Sequence, residues 1–415
     1  MEYNLSQLQA INAKEDNILI KAPPGSGKTS CIVGAVEKYI EEHPTDKVAV
    51  ITFTRKATEE LRNRISLSVI KISTIHSWSL SHLSELGAKY EFDYSLLSDD
   101  TIKEILKRLS ILRGYKTLNQ FQLFSYVMGN YNIDVDERIL ASFKTIDNDY
   151  EKFKRKNQLY DFKDLPLYLL DKLNEYDEYI LDVDALFVDE FQDVDPIQVE
   201  VFNRVCAKKK VYIADPLQSI YQFRGAVEDV IENLDGFAQY QLDTNYRSYQ
   251  EIMDYARTFE AYARDANDEG YEVQISDVTS IDPCDIICDR GAGGNVYLCS
   301  EIGICSNLVN YEPCSEILLI RRLMQEKGTQ ILCRSNRQVK KILTQGIENV
   351  STIHQAKGLE YNNVILIDFE IPNDEERNVA YVGMTRAKNN LMIIDFNVFL
   401  YVICSQKITT TKTLF

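Results

Sequence analysis

The chain has 415 residues, 45% apolar and 26% charged, with 46 basic against 63 acidic side chains and a net charge of −17. That length supports two or three domains around substantial cores, and the composition fits a soluble globular protein. No run of about 18 apolar residues occurs and the first residues are polar, so neither a membrane span nor a signal peptide is expected, and the setting reads as cytoplasmic. The acidic balance excludes neutralisation of a polyanion by the whole surface; a nucleic acid would have to be held in a local groove. Nine cysteines scattered from Cys31 to Cys404 fit reduced thiols in a chain of this size. Cys284, Cys288, Cys299, Cys305 and Cys314 lie close together but form no two short C-x2-C pairs. Cys299 and Cys333 each close a β-like run, where cysteine serves as a small apolar residue.

In chain order, Leu5 to Ile11 reads as a short helix. The apolar run Ile18-Leu19-Ile20 reads as a buried strand, and Lys21 to Ser30 connects it to a helical segment from Cys31 to Ile40. This strand, loop and helix order, with Gly25-Ser26-Gly27-Lys28-Thr29 at its centre, is what a phosphate-cradling loop requires. Gly25 and Gly27 let successive N–H groups face an anion, Lys28 reaches the outer phosphates, and Thr29 offers a hydroxyl to magnesium. Pro23 and Pro24 lack an N–H, which a cradle built from Gly25 onward tolerates. Upstream, the amide of Gln9 can both donate and accept, which suits the edge of adenine; a solvated helix glutamine fits the stretch equally well.

Val48 to Phe53 is a strand followed by a helix from Thr54, and a second strand end is expected at Ile72 to Trp78. In an open α/β sheet such strand ends face the ligand crevice. From about Ser84 to Asn157 the periodicity is helical, with Ile102, Ile105, Leu106 and Leu109 on one face, and an inserted all-helical module is expected. Its charge run Lys152 to Lys156 reads as a solvated face or a basic patch. The strand Ala185 to Val188 ends in Asp189 and Glu190, the carboxylate pair that magnesium-dependent hydrolysis needs: one to hold the metal, one to orient and deprotonate water. Val211 to Ala214 is a further strand, ending in a loop from Asp215 to Ala226 that mixes amide, aromatic and cationic groups. After Tyr246-Arg247-Ser248 a helix is expected to about Asp265. A second α/β half follows, with strands at Asn295–Cys299, Gln330–Cys333, Val350–Ile353, Val364–Ile367 and Leu391–Phe396. Ser351-Thr352-Ile353-His354 repeats Ser73-Thr74-Ile75-His76, which suggests one track crossing both halves.

This ordered motif series resembles the superfamily-one DNA helicases of the UvrD, Rep and PcrA type over nearly the whole chain. The resemblance implies an α/β fold of two RecA-like parallel-sheet P-loop NTPase domains, the first formed by 1–84 and 158–243, the second by 244–415, with residues 85–157 as the helical insertion. It implies ATP and Mg2+ as cofactors, held by Gly25, Ser26, Gly27, Lys28, Thr29 and Ser30. In it Gln9 corresponds to the adenine-reading glutamine and Tyr246 to the aromatic packed on the base. Thr29 and Asp189 correspond to the metal ligands, Glu190 to the catalytic base and Gln218 to the γ-phosphate sensor. Arg247 and Arg386 match two arginine fingers, and Gly358 and Glu360 lie in the motif that contacts ribose. Phe53, Thr74, His76, Tyr221, Phe223, Arg224, Thr352 and His354 fall on motifs that line the single-stranded DNA track.

Three departures qualify the pattern. Ser30 stands where many members have an arginine near the base, and Ala214 replaces the usual glycine before Asp215. Only about fifteen residues separate Asn336 from Ser351, which leaves no room for the regulatory domain that UvrD-type enzymes insert there. The implied activity is ATP-driven translocation on single-stranded or tailed duplex DNA, 3′ to 5′, with unwinding as a consequence. The alternative is a regulatory UvrD-like ATPase subunit working with a protein partner, such as a nuclease in a phage-defence system or a replication or repair factor. No nuclease constellation is visible in the chain itself.

Overall fold

A computed structural model describes residues 3–65, 69–92, 96–129, 135–220, 231, 234–257, 287–288, 295–301, 304–307, 323–367 and 374–394. Its contacts divide the chain into two compact units. One holds Met1–Ile20, Thr29–Ala214 and Tyr221–Tyr240; the other holds Lys21–Lys28, Asp215–Ile220 and the chain from Gln241 onward.

The first unit is built on a sheet of β1 (Asn17–Lys21), β2 (Val48–Thr52), β3 (Ile70–Thr74), β4 (Ala185–Val188), β5 (Lys209–Ala214) and β6 (Ala238–Gln241), in the order β3-β2-β4-β5-β1-β6. The pairs β2–β3, β2–β4 and β4–β5 are parallel. All residues of β2 and β4 are buried, as in strands with both faces covered, which explains their continuous apolar runs. Helices α1 (Leu5–Ile11), α2 (Lys28–Glu42), α3 (Arg55–Arg64) and α4 (Ile75–Tyr90) alternate with the first strands. The chain turns helical at Ile75, so Trp78 lies on α4 and not on a strand, and it is buried in the sheet's core with Leu83 and Leu86.

Three further helices, α5 (Asp99–Leu112), α6 (Gln120–Val127) and α7 (Glu137–Asn157), close a core of their own around Ile102, Leu106, Leu123, Tyr126, Phe143, Ile146 and Tyr150. Ser98 caps α5 by accepting from the Thr101 N–H at 3.2 Å, and Asp99 and Asp100 complement its positive end. Because α4 packs with the sheet, the separate core of the helical module begins at α5, some fifteen residues beyond the expected start at residue 85. After α7 the chain returns through a 3-10 turn, Phe162–Asp164, to α8 (Leu165–Glu175), and α9 (Pro196–Asn203) follows β4.

In the second unit β7 (Thr244–Asn245) pairs in parallel with β8 (Ile287–Cys288). A six-stranded sheet holds β9 (Asn295–Glu301), β10 (Ile304–Asn307), β11 (Thr329–Cys333), β12 (Val350–Thr352), β13 (Tyr361–Ile367) and β14 (Ala387–Ile394), in the order β10-β9-β14-β13-β11-β12. All its pairs are parallel except the β9–β10 hairpin. Leaving out β6 and β10, both sheets run third, second, fourth, fifth, first in chain order. The two halves therefore repeat one topology, and β3 and β12, which end on the Ser-Thr of the repeated Ser-Thr-Ile-His tetrapeptide, are the corresponding edge strands. A single helix, Asn336–Leu343, joins β11 to β12, with no inserted domain at this connection. No described helix is long and apolar enough to cross a membrane.

Asp147 on α7 has one carboxylate oxygen buried without a hydrogen-bond partner. Burial pushes its pKa from the ordinary 3.8 up to about 6, although Lys163 and Lys154 pull the other way. A folded-state value above the unfolded one means that the associated stability is intact below about pH 4 and is lost as the pH climbs through about 6. Asp147→Asn is expected to raise the melting temperature near pH 7.5 and to leave it unchanged near pH 4. Thermal melts at the two pH values check this, and an equal shift at both would trace the effect to packing instead of charge.

Candidate functional site

The phosphate loop bends as its sequence requires. Gly25 and Gly27 have φ of +71° and +81°, a region that side-chain-bearing residues rarely enter, and α2 starts immediately afterwards at Lys28. Ser26 folds back on Pro23, donating both its hydroxyl (2.7 Å) and its N–H (3.2 Å) to the Pro23 carbonyl. The amides from Gly25 onward and the N-terminus of α2 thus form an anion cradle of the kind that holds phosphates.

Gly25 is constrained a second way. A Cβ there would lie 2.7 Å from Arg247 Cβ and 2.7 Å from Asn245 Nδ2. The close approach is fixed by Asn245, fully buried, whose side-chain amide donates to the Pro24 carbonyl at 2.5 Å while its oxygen accepts from the Arg247 and Ser248 N–H groups at 2.8 Å each. The Tyr246 N–H donates to the Gly25 carbonyl at 2.8 Å, and its side chain is 40% exposed, an accessible ring beside the cradle. Arg247 Nε reaches Glu360 Oε2 at 2.9 Å, and Lys388 also pairs with Glu360. Burial works to raise the Glu360 pKa, but these two cations outweigh it and hold the carboxyl below its ordinary range. Gly358, with φ of +79°, lies two residues earlier, in open space.

Gln218 and Arg386 meet directly. Arg386, 1% exposed, donates from Nη2 to Gln218 Oε1 at 3.0 Å, from Nε to the Val382 carbonyl at 2.9 Å and from Nη1 to the Leu359 carbonyl at 3.3 Å. Gln218 Nε2 in turn donates to Asp215 Oδ2 at 2.7 Å, and Lys357 Nζ donates to the Gln218 carbonyl at 2.7 Å. These acceptors, with Thr385 Oγ1 at 3.2 Å from Nη2, are neutral oxygens that orient the guanidinium.

The carboxylate pair closes β4 within the first unit. Asp189 is buried and accepts the Glu190 N–H on Oδ1 at 3.0 Å. Glu190 has φ of +52°, a backbone state that costs a non-glycine residue about 1–3 kcal/mol and tends to mark functional positions. Gln192 Nε2 holds Glu190 Oε2 at 2.5 Å. Thr29 lies in the first turn of α2. A hydroxyl and a carboxylate are hard oxygen donors of the sort Mg2+ selects, so Thr29 and Asp189 fit that ion chemically. Ser30 Oγ accepts from Arg64 Nη1, at the end of α3, at 3.3 Å.

The tetrapeptide repeat is a structural repeat. Thr74 caps α4 and Thr352 caps the helix Ile353–Ala356, with φ/ψ of −77°/158° and −78°/156°, and each side chain accepts the N–H three residues on. His76 and His354 therefore occupy the same second helical position. Thr352 is fully buried, and its hydroxyl accepts the Gln355 N–H at 3.3 Å and does not face outward. Phe53 follows β2 and is partly buried. Tyr221, Phe223 and Arg224 lie outside the described residues.

Four residues escaped the sequence reading. Gln7 is one: it is buried and closes a reciprocal cap with Asn4, its N–H donating to Asn4 Oδ1 at 2.8 Å and its Oε1 accepting from the Asn4 N–H at 3.1 Å. Gln9 stands on the exposed side of the same helix. The Asn4-x-x-Gln7 spacing is a capping-box signal that could have separated the two. Asn245 and Lys357 were visible only as members of longer stretches. Phe162 is 44% exposed, and its ring stacks on His76 with centroids 5.4 Å apart and planes 11° apart.

Residues 3–239 match the family model of the UvrD/REP helicase N-terminal domain, more than half of the chain. The chain belongs to the UvrD/REP helicase family. Residues 334–397 match the UvrD-like helicase C-terminal domain as well. Among curated relatives, this family member is 29% identical over 291 residues to a probable DNA helicase II homolog of Mycoplasma capricolum, covering 62% of this chain and 40% of that one. It is 28% identical over 284 residues to the ATP-dependent DNA helicase Rep of Buchnera aphidicola, covering 61% and 44%. The chain thus matches about two fifths of the length of these helicases. Against the Gabija protein GajB of Bacillus cereus it is 22% identical over 496 residues, and there the match covers 91% of this chain and 92% of the relative.

Proposed function

We propose that this chain is an ATP hydrolase that drives movement along single-stranded DNA, a translocase with helicase activity on tailed duplexes. The observation that carries the reading is the hydrogen-bonded series Asp215, Gln218, Arg386 in a chain that also has a glycine-bent phosphate loop and a strained glutamate after β4. In this reading Lys28 and the loop amides bind the phosphates, and Glu190, oriented by Gln192, takes a proton from the attacking water. Gln218 senses the terminal phosphate and hands Arg386 to it. Mg2+, held by Thr29 and Asp189, would neutralise charge on the phosphates when bound. Arg386 and Arg247 act as arginine fingers, a contribution of about 10³ to 10⁵ in rate in phosphoryl-transfer sites. Because both belong to the second half of the sequence, hydrolysis is tied to the state of that half, which is how strand movement would be driven. In this reading the helical insertion belongs to the first RecA-like half, its own core starting at α5.

The reading amends the expected site at two positions. Gln7, not Gln9, is the adenine-reading amide, because its conformation is already fixed by the Asn4 cap. Phe162 joins His76 as a strand contact, because an exposed ring stacked on another offers a platform for a base, worth about 1–3 kcal/mol per base. The second reading, a UvrD-like ATPase acting with a protein partner such as a nuclease, is favoured by the nearly end-to-end match to GajB. The acidic net charge of −17 also points that way, since it weakens autonomous binding of a polyanion.

ATP turnover measured with and without a single-stranded oligonucleotide, alongside unwinding of duplexes tailed at either end, tests the main reading. We expect the oligonucleotide to stimulate turnover, and Glu190→Gln or chelation of Mg2+ to abolish it. Turnover that ignores DNA until a partner protein is added would favour the second reading, and a Glu190→Gln protein as fast as the wild type would rule out hydrolysis at this site. Titration with a fluorescent ATP analogue separates the two glutamines: Gln7→Ala is expected to weaken binding about tenfold, the loss of one good hydrogen-bonded contact, with Gln9→Ala near wild type. The reverse order would restore Gln9 as the reader.

A further inference from the structure

The run Lys152 to Lys156 reads as a solvated charged face, and Lys152, Arg155 and Lys156 are exposed accordingly. Lys154 departs from this, being 2% exposed at the end of α7. Its ammonium lies 2.9 Å from Asp161 Oδ2, 2.7 Å from Asp164 Oδ2 and 3.1 Å from Glu151 Oε1. Burial works against the charge, yet Asp161 and Asp164 outweigh it and hold the Lys154 pKa above its ordinary range.

The two aspartates have a second task. Asp161 Oδ1 accepts the Lys163 N–H at 2.8 Å and Asp164 Oδ2 accepts the Asp161 N–H at 2.8 Å, the reciprocal box that shapes the turn Phe162–Asp164. Asp161 is fully buried and also accepts from the Tyr150 hydroxyl at 3.0 Å. Tyr150 and Lys154 stand one helical turn apart on α7, and the Tyr150 ring lies in the core of the helical module. At the apex of the same turn Phe162 projects and stacks on His76. A buried carboxylate pair without its counter-ion would repel within the box, so the shape of the turn depends on the ammonium.

We infer that Lys154 is a positioning residue for the strand contact: by neutralising Asp161 and Asp164 it fixes the turn that lays Phe162 on His76, and so anchors part of the DNA track to the helical module. The inference rests on the reading of His76 and Phe162 as strand contacts. Lys154 itself touches no strand. Its effect runs through Phe162, and the helical module gains a role in setting strand affinity.

The test uses the full chain, a fluorescent oligo-dT read by anisotropy, and hydrogen exchange at the Lys163 and Asp164 amides without DNA. Lys154→Met is expected to weaken oligonucleotide binding about tenfold, the scale of one lost stacking platform. It should speed exchange at those two amides while the strands of the first sheet stay protected, and leave turnover without DNA close to wild type. Adding Phe162→Ala to Lys154→Met should then cost little more, since Phe162 has already lost its place. Wild-type affinity in Lys154→Met, unchanged exchange at the turn, or effects of the two substitutions that multiply in full would each overturn the inference. If Lys154→Met does not fold, Tyr150→Phe decides: it removes one hydrogen bond to Asp161, and must give the same pattern at smaller amplitude or the inference falls. A wild-type protein that ignores oligo-dT sinks the strand reading itself, while exchange at the turn still reports whether Lys154 holds it.

Discussion

The hydrogen bond from Arg386 to Gln218 is the contact on which the functional account depends. A guanidinium that is 1% exposed costs a great deal to bury, and only well-placed acceptors offset that cost. Acceptors here include the side chains of Gln218 and Thr385 and the carbonyls of Val382 and Leu359. Gln218 is in turn tied to Asp215 and Lys357. Gln218 and the segment that carries Glu360 thus share one cation. In the proposed reading Gln218 is the side chain that reads the terminal phosphate and Arg386 the one that supplies charge to it.

Around this contact the fold works by repetition. Both sheets run in the same order, and each edge strand, β3 and β12, ends in a threonine that caps a helix and a histidine at its second position. The repeat is chemically economical. A strand end, a cap and a ring recur at matching places in each half. In the first half Phe162 is added to this pattern, held by a buried ion cluster that roots in the helical module.

Much of this was legible in the sequence, for physical reasons. Strands such as β2 and β4 are buried throughout and so read as unbroken apolar runs, and glycines at positive φ cannot be exchanged for other residues without strain, so the phosphate loop declares itself. The start of α4 at Ile75 was not legible, because Ile72 to Trp78 is apolar enough for a strand, and only the Thr74 cap turns it helical. Gln7 was hidden for a related reason: two glutamines on one short helix differ only in which face is buried, and the cap with Asn4 decides that. Lys154 was hidden in a run of cations, since charge patterning reports the solvated majority and gives no sign of one member turned inward against distant carboxylates. Phe162 could not be paired with His76 from sequence, the two lying far apart along the chain. The hairpin partner β10 and the short strands β6 to β8 were missed because they lack a sustained apolar pattern.

The most direct test of the account is a double-mutant cycle on single-turnover ATP hydrolysis with Gln218→Ala, Arg386→Ala and the combined protein, with nucleotide binding measured in parallel. If the two side chains act as one unit, Arg386→Ala slows hydrolysis by about 10³-fold or more while ATP still binds, and the combined protein is no slower than the slower single variant. Effects that multiply, or hydrolysis by Arg386→Ala at the wild-type rate, would contradict it.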